Sequence, residues 1–144
     1  MKKYILVKQE EEMDCGVASL SAIFQFYGNI YNLNGLKKLM DYNNQSGTSF
    51  LQMYETANFL NYDVEAYCVD NINEINKTML PCIVQLEISE NIFHFVVIYK
   101  IRKKYIVAAD PAKGMVKINK AVFMNIFTGN LLIIKKFINQ CNKL

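Results

Sequence analysis

The sequence has no run of about 18 uncharged apolar residues, so no segment of it is expected to insert into a membrane. It has only two prolines and six glycines among 144 residues, while hydrophobic residues make up 52%, which excludes a fibrous or disordered chain. An excess of one charge is also missing, because 16 basic and 13 acidic residues leave a net charge of +3 and no concentrated basic patch for nucleic acid. The sequence therefore predicts one globular domain with its own core and no nucleic-acid partner.

Cysteine is sparse as well, and its four copies lie far apart in the sequence. Cys15, Cys68, Cys82 and Cys141 include no C-x-x-C pair, so neither a zinc site nor a disulfide scaffold is indicated. We expect reduced thiols in a cytosolic compartment. Cys82 lies in an apolar run and is expected to pack in the core, whereas Cys141 lies in a polar tail and is expected to be exposed.

The first sixty residues have the spacing of helices. Apolar residues recur at intervals of three and four in the segment CGVASLSAIFQFYG, which predicts a helix over 14–27. Asp14 suits its N-cap, and Gly28 suits the position just past its C-terminus. A second, shorter helix is predicted for LNGLKKLMDY, and a third, with Thr48 or Ser49 as its cap, for FLQMYETANFL.

The second half of the sequence predicts a sheet. β-Branched and aromatic runs punctuated by turn residues predict strands at 64–69, 83–88, 94–101, 104–110, 115–118 and 131–137. A further short strand is predicted at 4–8 and a last short helix at 120–127, and a hairpin turn is expected near Arg102 and Lys103. Helices first and mainly antiparallel strands second predict an α+β domain, with a helical N-terminal half packed on a C-terminal sheet.

One cysteine lies at the predicted start of a helix. The N-terminus of a helix favours a thiolate through its unpaired N–H groups and its positive dipole end, and the thiolate is the reactive form of cysteine. Cys15 is therefore a candidate nucleophile, and Gly16, which has no side chain, would let a substrate carbonyl approach the sulfur. A lone cysteine among apolar helix residues equally fits core packing, so both roles stay open on this feature alone.

His94 is the only histidine of the chain, and it starts the apolar run HFVVIY. A cysteine nucleophile needs a base, and the imidazole of that base needs a third group to hold its orientation. The predicted hairpin places His94 opposite Pro111, next to Asp110, so the two side chains are expected at the same end of adjacent strands. The alternatives are a histidine that satisfies a buried polar site and an aspartate that only shapes the turn.

An acyl-transfer site also needs hydrogen-bond donors where negative charge develops on the carbonyl oxygen, each worth about 3–4 kcal/mol in the transition state. Gln9 lies six residues before Cys15, and its neutral amide donates without acting as an acid. The loop between them can fold back and bring the amide beside the Cys15 backbone N–H. A glutamine in an acidic surface loop needs no such role, so the position of Gln9 alone is weak evidence for an oxyanion donor.

Taken in order, Gln9 and the motifs DCG, HFVV and DP resemble the peptidase domain of bacterial peptidase-containing ABC transporters, the papain-like bacteriocin-processing family. The similarity extends to the segments GTSFLQMYETANFL, LPCIVQL, DPAKGMVKI and FTGNLLII, and it covers roughly residues 4–137. One departure is Asn61, where relatives often have glycine after the third helix. Because asparagine tolerates the left-handed conformation, we expect this turn to survive.

This resemblance implies a papain-like fold and a cysteine peptidase activity, with a role for each candidate residue. Cys15 would be the nucleophile, and His94 would act first as general base and then as general acid. Asp110 would orient the histidine. Gln9 would form the oxyanion hole together with the backbone N–H of Cys15. No metal or organic cofactor is implied.

The resemblance also implies a substrate and a cellular context. Residues 1–144 would form one peptidase domain, the N-terminal cytosolic domain of a longer ABC transporter at the cytoplasmic face of the bacterial membrane. The domain would remove the leader of a bacteriocin, lantibiotic or signalling-peptide precursor after a double-glycine type sequence, before export. Its partners would be that precursor, whose leader is an amphipathic helix, and the transmembrane and nucleotide-binding domains of the transporter. The residues Met40, Met53, Tyr54 and Phe59 fit either leader contact or core packing.

Two other functions fit the same sequence. The first is a module that binds the leader without turnover of its own, as in relatives that have lost the nucleophile, although Cys15 and His94 are both present here. The second is a stand-alone papain-like peptidase or amidase that acts on a different substrate. Cleavage of a double-glycine precursor distinguishes the first function from peptidase activity, and the effect of replacing the two glycines distinguishes the second.

Overall fold

The computed structural model describes residues 3–43, 45 and 47–136. In this part of the chain the α-helices are α1 (Cys15–Phe26), α2 (Leu33–Leu39), α3 (Phe50–Phe59) and α4 (Lys120–Ile126). The strands are β1 (Tyr62–Cys68), β2 (Cys82–Ser89), β3 (Ile92–Ile101), β4 (Tyr105–Asp110), β5 (Gly114–Asn119) and β6 (Phe127–Lys136). Two single-turn 3-10 helices, Ile72–Glu74 and Lys77–Met79, lie between β1 and β2.

The strands form one antiparallel sheet in the order β1-β6-β2-β3-β4-β5. A first core cluster, which includes Leu20 and Val97, joins α1, α2 and α3 to one face of this sheet. A second core cluster, which includes Ile98 and Phe123, fills the space between the other face and α4. The predicted α+β class, with a helical N-terminal half packed on a mainly antiparallel sheet, is confirmed.

The C-terminus of α1 follows the sequence prediction. The helix ends at Phe26, and Gly28 adopts a φ of +93°, which favours glycine. The N–H of Gly28 donates to the carbonyl of Gln25, and the N–H of Asn29 donates to the carbonyl of Phe24, both at 2.9 Å. These two bonds form a Schellman motif, so Gly28 ends the helix as predicted.

The cap of α3 lies at Ser49 rather than Thr48. The Ser49 side chain accepts from the backbone N–H of Gln52 at 3.2 Å, and the Gln52 side chain accepts from the backbone N–H of Ser49 at 2.8 Å. This reciprocal capping box stabilises the first turn. After the helix, Asn61 adopts a φ of +68°, so the predicted left-handed turn with asparagine in place of glycine is confirmed.

The predicted strand at 4–8 is wrong. The backbone N–H and carbonyl of Ile5 bond to the hydroxyl of Tyr99, at 3.1 and 2.6 Å, instead of joining a strand ladder. The ring of Tyr4 stacks on the ring of Tyr99 with 4.9 Å between their centroids. A tyrosine side chain therefore supplies the contacts that the apolar pattern assigned to a neighbouring strand.

The hairpin between β3 and β4 turns one residue later than predicted. The N–H of Arg102 donates to the carbonyl of Tyr105 at 2.8 Å, so the turn contains Lys103 and Lys104. A turn at Lys103 and Lys104, without any other change, would shift the pairing of β3 with β4 by two residues. Because successive side chains of a strand alternate between its faces, each side chain would then stay on its predicted face. A bulge farther along the hairpin changes that outcome.

A bulge at Tyr99 brings two candidate site residues to the same face of the sheet. Beyond the bulge, Val97 pairs with Ala109. Asp110 is one residue from this pair and His94 is three residues from it, so both side chains point to the face opposite Val97 and Ala109. The predicted register, with His94 opposite Pro111, is off by one residue here and would have separated the two side chains.

Several boundaries near the end of the chain also differ from the prediction. β6 begins at Phe127, four residues before the predicted start, and the predicted end of that strand at 137 lies outside the described residues.

Cys82 is buried in β2, which confirms its packing role, and Cys141 lies outside the described residues. Among the residues described, no helix combines the length and hydrophobicity needed to cross a membrane.

Candidate active site

Cys15 is the first residue of α1 and is partly exposed. The first intrahelical hydrogen bond runs from the N–H of Ala18 to the carbonyl of Asp14, at 2.9 Å. The N–H groups of the first turn therefore have no acceptor within the helix, and the side chain of Asp14 does not cap them. The sulfur lies at the positive end of the helix dipole, as the sequence predicted.

Gly16 packs closely against neighbouring segments at the start of α1. It is buried, and a Cβ atom at this position would clash with Oγ1 of Thr48 and lie 3.4 Å from the side chains of Met53 and Phe95. The missing side chain makes room for these packing contacts. Gly16 thus lets the start of α1 approach α3 and β3 closely, and this packing fixes the position of Cys15.

A hydrogen bond of 2.7 Å joins Oδ1 of Asp110 and Nε2 of His94. The same Oδ1 accepts from the backbone N–H of Ala112 at 2.9 Å, which fixes the carboxylate at the end of β4. The side chain of Cys15 lies close enough to the ring to raise the pKa of His94 as well.

These contacts determine the protonation of the pair. Burial alone would lower the pKa of His94, but the hydrogen bonds with Asp110 and Cys15 outweigh it and raise that pKa to about 9. Burial alone would raise the pKa of Asp110, but the hydrogen bonds from His94 and Ala112 lower it overall. At neutral pH the ring is therefore in its imidazolium form, next to the Asp110 carboxylate and near the Cys15 sulfur.

A buried ion pair lies directly behind the cysteine, and the sequence prediction missed it. Asp14 is fully buried, and its carboxylate lies 3.0 Å from Nζ of Lys37 in α2. One carboxylate oxygen also accepts from the backbone N–H groups of Glu10 and Glu11, at 3.2 and 2.9 Å. Burial would raise the pKa of Asp14, but the hydrogen bond from Lys37 lowers it overall. Asp14 thus folds the loop before Cys15, rather than capping the helix through its side chain.

Gln9 joins the two halves of the site through its backbone and lines the cleft with its side chain. Its N–H donates to the carbonyl of Pro111 at 3.0 Å, which ties the loop to the turn after Asp110. Its side-chain Nε2 donates to the carbonyls of Glu11 and Glu12, at 3.1 and 3.2 Å. Within the described residues, the Gln9 Oε1 is buried without a hydrogen-bond partner.

All four predicted site residues, Gln9, Cys15, His94 and Asp110, line one cleft of about 1070 Å³.

A polar group that the sequence prediction missed lies in the wall of the same cleft. Oε1 of Gln85 accepts from the hydroxyl of Thr128 at 3.0 Å and from the side-chain amide of Asn130 at 3.1 Å. Only the pairing of β2 with β6 brings these residues together, so no local sequence signal could have identified them.

A second, apolar groove of about 580 Å³ lies between α3 and β1. Its lining includes Leu51, Tyr54, Ala66 and Tyr67, and we call it the α3–β1 groove. Leu51 also lines the cleft that contains Cys15, so the two depressions share a wall. Of the residues that fitted either leader contact or core packing, Met40 and Met53 are buried in the first core cluster, whereas Tyr54 and Phe59 are exposed.

Comparisons with known proteins identify the family of this chain. The model of the peptidase C39 family matches residues 3–138. The chain is 32% identical over 136 residues to a lactococcin-G-processing and transport ATP-binding protein of Lactococcus lactis subsp. lactis. It is 31% identical over 137 residues to a sublancin-168-processing and transport ATP-binding protein of Bacillus subtilis strain 168. Each alignment covers 94% of this chain and 19% of the relative, so the chain spans about a fifth of their length.

Two solved structures have the same fold. A double-glycine motif protease from an AMS/PCAT transporter, in complex with the leader peptide, superposes with a TM-score of 0.82 and 29% identity and covers 94% of this chain and 93% of its own. The peptidase domain of Streptococcus ComA, a bifunctional ABC transporter involved in quorum sensing, gives a TM-score of 0.81 and 25% identity, with 93% and 99% covered. The resemblance predicted from the sequence is confirmed, and the chain belongs to the peptidase C39 family of cysteine peptidases.

Proposed function

We propose that this chain removes the leader from a peptide precursor by cutting after a double-glycine type sequence. What supports this function most directly is the chain of contacts from Asp110 through His94 to Cys15, inside a cleft that a peptide can enter. The relatives whose names include processing and transport, and the neighbour that is a double-glycine protease with its leader peptide, indicate the substrate class.

In the proposed reaction, the protonated His94 stabilises the thiolate of Cys15, which attacks the carbonyl carbon of the last leader glycine. A tetrahedral oxyanion forms and collapses to a thioester as the C–N bond breaks. His94 gives its proton to the leaving amine, and it then removes a proton from the water that hydrolyses the thioester. Asp110 holds the ring in the orientation that both steps need.

Gln9 and the backbone N–H of Cys15 would donate to the oxyanion. In the free chain, both carbonyls that accept from Nε2 of Gln9 belong to the adjacent loop. An oxyanion accepts a hydrogen bond more strongly than a neutral carbonyl does, so it would compete for one of the two amide hydrogens. We therefore expect Gln9 to exchange a loop contact for a substrate contact as charge develops.

The α3–β1 groove is the proposed docking site for the amphipathic helix of the leader. Its apolar wall and its shared boundary with the cleft would let an apolar helix face bind while the two glycines reach Cys15. Tyr54 would contact the leader there. Phe59 lies on the same helix outside this groove, so it is not part of the proposed contact.

The chain corresponds to about a fifth of the length of these relatives, so its cellular context is also a proposal. We propose that these residues form the N-terminal peptidase domain of an ABC transporter and lie on the cytoplasmic side of the membrane. The transmembrane and nucleotide-binding domains of that transporter would export the mature peptide. The proposed reaction uses side-chain and backbone groups of this chain and one water molecule, and it involves no metal or organic cofactor.

Incubation of the chain with a precursor, followed by mass spectrometry, tests this function. The expected product pair is a leader that ends in Gly-Gly and the remainder of the precursor. Tight binding of an intact precursor would instead indicate a leader-binding module. Replacing both glycines by leucine should abolish cleavage, and unchanged turnover on that peptide would indicate a papain-like peptidase or amidase with another specificity.

A further inference from the structure

The cleft continues past His94 from one face of the sheet to the other. Cys15 packs against the first core cluster. His94 pairs across the strands with Leu86, whose side chain belongs to the second core cluster, so the imidazole emerges on that second face. The contact between the sulfur and the ring therefore lies at the boundary between the two faces.

Beyond His94, aliphatic side chains from several elements line the cleft, beside Asn91 of the β2–β3 turn. Ile88 and Ile92 of the β2–β3 hairpin and Val122 of α4 line it, and each is more than half exposed, at 55, 54 and 53%. Ile118 and Ile126 line the same part and pack against the second core cluster. We call this patch of five residues the leaving-side surface. Exposed apolar residues that adjoin one another in a cleft mark a binding surface more often than isolated ones do.

We propose that the leaving-side surface binds the residues that follow the scissile bond, and that it favours apolar side chains there. This inference rests on the proposed function. When the C–N bond breaks, the amine takes its proton from the His94 ring, so the nitrogen and the chain attached to it must lie on the His94 side. The acyl part stays with Cys15, next to the boundary with the α3–β1 groove.

The charges in the cleft support an apolar occupant of this surface. Glu12 and Lys113 line the cleft as well, but they belong to the loop before α1 and to the turn before β5. The five aliphatic side chains of the leaving-side surface offer no partner for a charge. Contact with an apolar segment would remove their exposed area from water, whereas a charged segment would be desolvated without compensation.

Two synthetic substrates with the same leader separate this inference from the proposed function. In the first, the last glycine ends in an unsubstituted amide, whose leaving group is ammonia, and in the second a short apolar segment follows it. Ile92→Asp and Val122→Asp should each lower kcat/KM on the second substrate about tenfold and leave the first unchanged. Ile30→Asp is the control, because Ile30 is 82% exposed and lies outside the cleft.

A change in the substrate gives the same information without altering the chain. Exchanging the apolar segment for an aspartate-rich one should lower kcat/KM of the wild type by a similar factor. Equal turnover of the two segments, together with unchanged kinetics in Ile92→Asp and Val122→Asp, would overturn the leaving-side surface alone. Failure of the wild type to cut any of these substrates would overturn the proposed function and this inference with it.

Discussion

The side chains at the centre of the cleft depend on one another for their chemical state. The hydrogen bond with Asp110 raises the pKa of His94 and so favours its imidazolium form, and the ring lies near the sulfur of Cys15. Gln9 is held in the same cleft by the loop that ends at the cysteine. Each role in the proposed reaction therefore corresponds to a separate contact, which single substitutions can remove.

Replacing Gln9 by alanine removes the proposed side-chain donor to the oxyanion. We expect kcat to fall by about 100-fold or more, with a smaller change in KM, because the bond strengthens only in the transition state. Steady-state kinetics on a double-glycine peptide measure both constants. The control is Gln45→Ala in the exposed loop, which should leave both unchanged. Wild-type kcat in Gln9→Ala would exclude the oxyanion role.

Replacing Asp110 by asparagine removes the negative charge that favours the imidazolium form of His94. The pKa of the ring should fall from its raised value of about 9, so the alkaline limb of kcat/KM should move to lower pH. The rate at neutral pH should drop by at least about tenfold, since the ring also loses its fixed orientation. A pH profile of kcat/KM measures both effects, and an alkaline limb at the wild-type position would contradict the assignment of Asp110.

At the scale of elements, α2 supports the site through the ion pair between Lys37 and Asp14. Lys37→Met leaves a carboxylate buried without its cation, so the free energy of unfolding should fall by about 3 kcal/mol. Lys37→Arg should recover most of that loss. The neighbouring Lys38 is exposed, and Lys38→Met should change the stability by less than about 0.5 kcal/mol. Urea denaturation measures all three variants, and equal stabilities would show that the pair contributes nothing.

Also at the scale of elements, Tyr54 of α3 lines the α3–β1 groove. Tyr54→Glu places a charge in the apolar wall of this groove, so KM for a peptide with its full leader should rise about tenfold while kcat changes little. Phe59→Glu makes the same kind of change on the same helix outside the groove, and it should behave as wild type. Equal effects of the two substitutions would exclude the groove as the docking site of the leader.

The whole molecule shows which features a sequence can predict. The helices follow from their spacing and caps, as at Gly28 and Ser49, and the strands follow from β-branched runs. The candidate residues Cys15 and His94 stand out because one lies at a helix start and the other is the only histidine. These features are local, or they are properties of single positions, so the sequence alone displays them.

The features that the sequence missed depend on contacts between distant segments. The bulge at Tyr99 decides on which face of the sheet the Asp110 side chain lies, and no signal in the neighbouring sequence predicts this bulge. Asp14 fits an N-cap by its position, and only Lys37 from another helix reveals it as a buried anion. The segment 4–8 has the pattern of a strand, but a tyrosine hydroxyl binds its backbone instead. Tertiary contacts therefore decide each of these cases.

The most direct test of the proposed peptidase is covalent capture of its nucleophile. A leader peptide whose last glycine carries a chloromethyl ketone in place of the scissile amide should alkylate the wild-type chain once, on the peptide that contains Cys15. His94→Ala should slow this labelling strongly, and Cys15→Ala should prevent it, which peptide mapping by mass spectrometry would show. Labelling of Cys68, Cys82 or Cys141 at the same rate, or no labelling of Cys15, would contradict the central role assigned to this residue.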